Sequence, residues 1–160
     1  MGRAHGRATR GAVIPVQRLV RLAIGIGPLL CSTPVAAQSP WERQVENGLQ
    51  RVTRTLHDDG YHEVDGRRGL VLNTGETASF TLTLHTGVAY VLVGVCDEDC
   101  AALQLALFAD NDYEVEGARA PTSAPMVRLT PRQTGSYRVQ VVMATCHMNP
   151  CWSGVALYGK

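Results

Sequence analysis

Two short cysteine loops constrain this chain more than any other feature. One reads Val-Cys96-Asp-Glu-Asp-Cys100, the other Thr-Cys146-His-Met-Asn-Pro-Cys151. Each follows an alternating apolar run and precedes another, so each sits at a junction between strands. The C-x3-C spacing differs from the C-x-x-C of redox pairs. Local pairing, Cys96 with Cys100 and Cys146 with Cys151, is the expected arrangement. Closing loops this short stabilises by roughly 2 kcal/mol each on the chain-entropy model. Four cysteines allow three connectivities, so crosswise pairing stays open if the two mouths are neighbours. Staples of this kind point to a small β-domain in an oxidising compartment.

The N-terminal residues agree with that compartment. Arg3, Arg7, Arg10, Arg18 and Arg21 precede the first acid, Glu42. Residues 22–30 form a short apolar block containing Gly25, Gly27 and Pro28, and Val35-Ala36-Ala37 supplies small residues for cleavage. Residues 1–37 therefore read as a Sec signal peptide cleaved near Ala37, and the product as periplasmic or secreted. The block is shorter than the ~20 residues of a membrane span, so no transmembrane segment is expected. Leu30 before Cys31 departs from a lipobox, and no Arg-Arg pair marks a twin-arginine signal.

Residues 38–160 suit one domain with a real core. They hold all fourteen acids and ten Arg or Lys, a net charge of −4. Lys160 is their one lysine, and no basic stripe runs through them. Phosphate contacts need clustered cations, so a nucleic-acid partner is not expected.

Two periodicities divide this part. Over residues 38–60, Ser39-Pro40-Trp41-Glu42 forms a capping box with proline at the first helical position. Trp41, Val45, Leu49, Val52 and Leu56 then recur at helical spacing, and Asp58-Asp59-Gly60 ends the helix. Its stripe either packs on the rest of the domain or faces a partner. From Tyr61 the period becomes two. Alternating runs cover 77–84, 89–95, 103–107, 126–130, 137–141 and 155–159, with glycines and prolines between them. Residues 61–160 therefore read as an antiparallel β-sandwich.

Few residues offer chemistry. Asp97, Glu98 and Asp99 lie in the first loop, and Asp110 and Asp112 flank Asn111 further on. If the clusters converge they can hold a hard cation such as Ca²⁺; otherwise they form a solvated acidic rim. His147 and Met148 with the loop thiolates suit a soft metal such as Cu(I), but a disulfide removes the thiolates. The histidines at 57, 62, 85 and 147 have no G-x-S-x-G elbow or H-E-x-x-H pair to anchor a hydrolase. No catalytic residue is assigned and no cofactor is expected, with Ca²⁺ possible.

Four stretches carry a resemblance. They are Leu72-Asn-Thr-Gly75-Glu-Thr-Ala-Ser-Phe80-Thr-Leu, Gly87-Val-Ala-Tyr90-Val-Leu-Val-Gly94-Val, Leu103-Gln-Leu-Ala-Leu107-Phe-Ala-Asp110, and Leu129-Thr-Pro131-Arg-Gln-Thr-Gly135-Ser-Tyr137-Arg-Val139. Together they resemble the bacterial pre-peptidase C-terminal (PPC) family, in a disulfide-bearing variant of exported proteins. The resemblance implies a jelly-roll-like β-sandwich and a non-catalytic accessory module. Family members often carry Asp-Leu-Asp-Leu where this chain has Ala102-Leu103-Gln104-Leu105, which weakens the Ca²⁺ expectation. The functional expectation is an exported, non-enzymatic binding or structural module of the cell envelope, with a protein or glycan ligand. Alternatives are a Ca- or Cu-binding periplasmic protein and a small secreted hydrolase.

Overall fold

The structure, a computed structural model, describes residues 38–160. The signal-peptide expectation falls on residues 1–37 and lies outside them. A helix, α1 (Pro40–Asp58), comes first. Eight strands follow: β1 (His62–Leu72), β2 (Thr77–Leu84), β3 (Tyr90–Cys96), β4 (Cys100–Phe108), β5 (Glu114–Ala118), β6 (Met126–Leu129), β7 (Gly135–Cys146) and β8 (Cys151–Gly159). They form two antiparallel four-stranded sheets, ordered β1-β8-β3-β6 and β2-β7-β4-β5. The expected mainly β architecture with one helix is present.

The helix starts where its capping chemistry dictates. Ser39 Oγ accepts from the Glu42 amide at 3.1 Å, and Glu42 Oε2 accepts from the Ser39 amide at 2.8 Å. At the far end Gly60 takes φ +84°, a conformation that favours glycine. The amides of Gly60 and Tyr61 donate to the carbonyls of His57 and Leu56.

Two apolar layers hold the domain. Between the sheets, Leu82 and Leu84 of β2, Leu103, Leu105 and Leu107 of β4, and Val139, Val141 and Met143 of β7 meet Leu92, Val155 and Leu157. On the outer face of the first sheet, Val45, Leu49 and Leu56 of α1 pack on Val91, Val93, Val95, Ala156 and Tyr158. The helix stripe is therefore internal, the first of its two expected alternatives, and Val45, Leu49 and Leu56 are covered by their own sheet rather than open to a partner. Apolar side chains at this spacing find a better-matched apolar sheet in their own chain. Val52 is half-buried against the same layer, and Trp41 is half-buried outside it.

The helix lies close because β8 yields room. A Cβ on Gly154 would stand 2.6 Å from Val45 Cγ1 and 3.0 Å from Leu49 Cδ1. Polar side chains secure the helix to β1. Arg67 pairs with Glu46 of α1 and, at 3.1 Å, with Glu63. Its Nη2 donates to Thr53 Oγ1 at 3.2 Å, and that hydroxyl also lies 2.8 Å from the buried Tyr158 hydroxyl. Thr53 in turn donates to the Leu49 carbonyl at 2.8 Å.

Candidate functional site

The β3–β4 and β7–β8 connections both cross from one sheet to the other, and both do so at the same end of the sandwich. Each crossing is closed by a disulfide, Cys96–Cys100 and Cys146–Cys151, with Cα separations of 5.9 and 5.8 Å. The pairing is local, as expected. The mouths are nonetheless adjacent: Cys100 is the cross-strand neighbour of Cys146 in the β4–β7 pair.

Hydrogen bonds join the two loops. The Asp97 amide donates to the Trp152 carbonyl at 2.9 Å, and the Trp152 amide donates to Asp97 Oδ2 at 2.7 Å. The His147 amide donates to the Asp99 carbonyl at 2.8 Å. Thr74 closes the other side: its Oγ1 donates to the Cys146 carbonyl at 3.0 Å and accepts from the Cys146 amide at 2.8 Å. Asn149 Oδ1 accepts from the Thr74 amide at 2.8 Å. The Glu98 amide reaches the helix, donating to Gln44 Oε1 at 3.1 Å.

This weave separates the candidate ligands. Asp97 is only 3% exposed and its Oδ1 has no partner. Burial pushes its carboxyl above the ordinary value, and the Asp99 charge adds to that. The amides of Trp152, Asp99 and Cys100 oppose the shift without cancelling it. Asp97 is thus a structural acid facing inward rather than part of a solvated rim. Glu98, His147 and Met148 point to solvent, Met148 at 68% exposure, and Asp99 is half-buried.

The two acidic clusters do not converge. Asp97–Asp99 precede β4 and Asp110–Asp112 follow it. A nine-residue strand at about 3.3 Å per residue holds them roughly 30 Å apart. Asp112 pairs instead with Arg138 at 2.7 Å. Among the described residues no group of three His, Cys, Asp or Glu is placed to hold a metal ion. Asp97, Glu98 and Asp99 are thus held at one end of β4 and Asp110 and Asp112 at the other. His147 and Met148 share a loop, but both neighbouring sulfurs are in the disulfide.

The fold also creates a cleft for which the sequence carries no periodic signal. Between the edge strands β1 and β2 lies a cleft of about 320 Å³ lined by Asp65, Arg68, Thr81, Thr83, His85 and Tyr90, among others. Arg68 pairs with Asp65 at 2.8 Å and lies 4.6 Å over the Phe80 ring. Its Nε is buried without a partner. Arg67-Arg68 beside two glycines gives no alternation to place either side chain, so only the folded β1–β2 gap reveals the arrangement.

No protein-family model matches this chain, and no curated protein matches its sequence. Among the described residues no helix is long and apolar enough to cross a membrane.

Proposed function

We propose that this chain is an exported, non-enzymatic binding module of the bacterial envelope that presents its disulfide end to a protein partner. The observation that carries the reading is the pair of cross-linked, mutually hydrogen-bonded corner loops with Glu98, His147 and Met148 facing solvent. Loops fixed before binding lose little conformational freedom on contact, so their side chains bind more tightly than mobile ones. An exposed methionine adapts to varied apolar surfaces, while glutamate and histidine beside it supply polarity. Disulfides of this kind persist in oxidising compartments, which supports export together with the basic-then-apolar N-terminal pattern.

The strand order supports a finer reading of the fold. In β1-β8-β3-β6 facing β2-β7-β4-β5, every connection crosses between the sheets except that from β4 to β5, which pair side by side, the arrangement of an eight-stranded jelly roll. That agrees with the PPC-like resemblance, in which the domain is an accessory to other proteins rather than a catalyst.

The test is capture from envelope extract by the immobilised chain and by a Glu98→Ala/His147→Ala/Met148→Ala variant. A protein retained by the first and lost by the second is the expected result. Equal capture by both, or hydrolysis of ester, peptide or glycan substrates abolished by a single substitution, would overturn the reading.

A further inference from the structure

Three of the four sheet edges are guarded and one is not. β1 carries Glu63, Asp65, Arg67 and Arg68, with two register shifts against β8. β5 carries Glu114 and Glu116 with a shift against β4, and β6 is only four residues long. Charges, bulges and shortness are the means by which edge strands avoid pairing with other chains. β2 has none of these. Its eight residues, Thr-Ala-Ser-Phe-Thr-Leu-Thr-Leu, hold no charge, glycine or proline. They pair with β7 without interruption from Thr77 opposite Val142 to Leu84 opposite Gly135. Among the described residues no strand pairs with the other side of β2. The cleft described above opens on that side, with Leu82, Tyr90 and Leu157 in its lining and Arg68 and His85 beside them.

The sequence of β2 says which strand fits. Residues opposed in an antiparallel pair point to the same face. A two-fold axis at Thr81 sets Thr81 against Thr81, Ser79 against Thr83, and Thr77 against His85 on the outer face. On the inner face it sets Phe80 against Leu82 and Ala78 against Leu84. Each polar residue meets a polar one and each apolar residue an apolar one. Glu76 at one end of each strand falls opposite Thr86 of the second copy, so no carboxylate meets a core residue. Centring the axis on Phe80 instead would put Glu76 opposite the core residue Leu84. We propose that β2 is a homotypic docking edge: two copies of this chain pair β2 to β2 about Thr81 and form one continuous eight-stranded sheet. The contact is isologous and closes on itself, so it stops at a dimer. It does not depend on the reading of the disulfide end.

The experiment uses the full chain with Cys31→Ser, so that an added cysteine is the one unpaired thiol. Opposed residues of an antiparallel pair have Cα atoms about 4.5–5.5 Å apart, within disulfide reach. Thr81→Cys is expected to give a covalent dimer on mild oxidation, and Thr77→Cys, which faces His85, is expected to stay monomeric. Sedimentation of the unsubstituted chain at about 100 μM should show a dimer. Thr81→Lys, which places two like charges on the axis, should shift it to monomer with unchanged circular dichroism. A monomeric unsubstituted chain, equal cross-linking at 77 and 81, or a Thr81→Lys dimer overturns the proposal. If Thr81→Lys fails to fold, the cross-linking pair alone decides.

Discussion

Cys100 and Cys146 stand directly opposite one another across β4 and β7, yet neither is bonded to the other. Each bonds to a cysteine of the other sheet, so the covalent links run through the thickness of the sandwich rather than along one layer. Proteolysis without reduction should therefore release Cys96 linked to Cys100 and Cys146 linked to Cys151. A Cys100–Cys146 peptide would contradict the geometry.

The two links should also be energetically coupled. Replacing either pair by alanine is expected to cost about 2 kcal/mol by loop closure. The loops share the Asp97–Trp152 and His147–Asp99 hydrogen bonds. Removing both pairs should then deviate from the sum of the single effects by more than about 0.5 kcal/mol. Urea unfolding of the four species measures this, and strict additivity would show that the shared bonds carry no coupling.

Asp97 should set a pH dependence of unusual sign for an acid. Its carboxyl lies above its ordinary value in the folded state, so folding favours its protonated form. The stability it contributes is fully present below about pH 4, the ordinary carboxylate range, and is lost as pH rises through the raised folded value. Asp97→Asn removes that dependence. The variant should gain stability relative to the unsubstituted chain as pH rises above about 4, and parallel pH profiles would refute the assignment. Asp97→Ala should instead be destabilising by about 1–3 kcal/mol at any pH, because it orphans the Trp152 amide.

The close approach of α1 to β8 predicts intolerance at one glycine. Gly154→Ala forces Val45 and Leu49 aside and should cost about 1–3 kcal/mol. Gly69 is its cross-strand partner in β1, and a Cβ there meets nothing within 4 Å. Gly69→Ala should stay within about 0.5 kcal/mol. Thermal or urea midpoints of the two variants give the comparison, and equal losses would mean that the helix does not rest on β8.

Tyr158 tests the polar attachment of the helix. Tyr158→Phe removes one of the groups on the Thr53 hydroxyl but leaves Arg67 as donor. A loss of about 0.5–1.5 kcal/mol is expected, well short of the 2–5 kcal/mol for Leu49→Ala, which opens the apolar layer itself.

The helix was legible because its cap, stripe and stop all agree; β2 and β7 were legible because one face is more exposed than the other, and β4 because Leu103, Leu105 and Leu107 alternate with smaller or polar residues. β1 was not, because its two register shifts break the alternation and Glu63, Asp65, Arg67 and Arg68 crowd the middle. β5 was missed for the same reason on a smaller scale. At the disulfide end, spacing gave the local pairing. The burial of Asp97 stayed hidden, since its partner Trp152 lies 55 residues away in sequence. The helix stripe told of burial but not of what covers it, and only the outer faces of β3 and β8 answer that.

Those two strands have apolar cover on both sides, and the consequence concerns alignment. In β2 a slip of one position would turn Phe80, Leu82 and Leu84 to water, so the sequence polices itself. In β3 and β8 no such signal exists: Val91 and Leu92, or Ala156 and Leu157, are buried alike. A slip there trades one apolar residue for another. Cys96 ends β3 and Cys151 begins β8. The corner bonds therefore serve as reading-frame marks for the two strands whose own composition says least about where they belong.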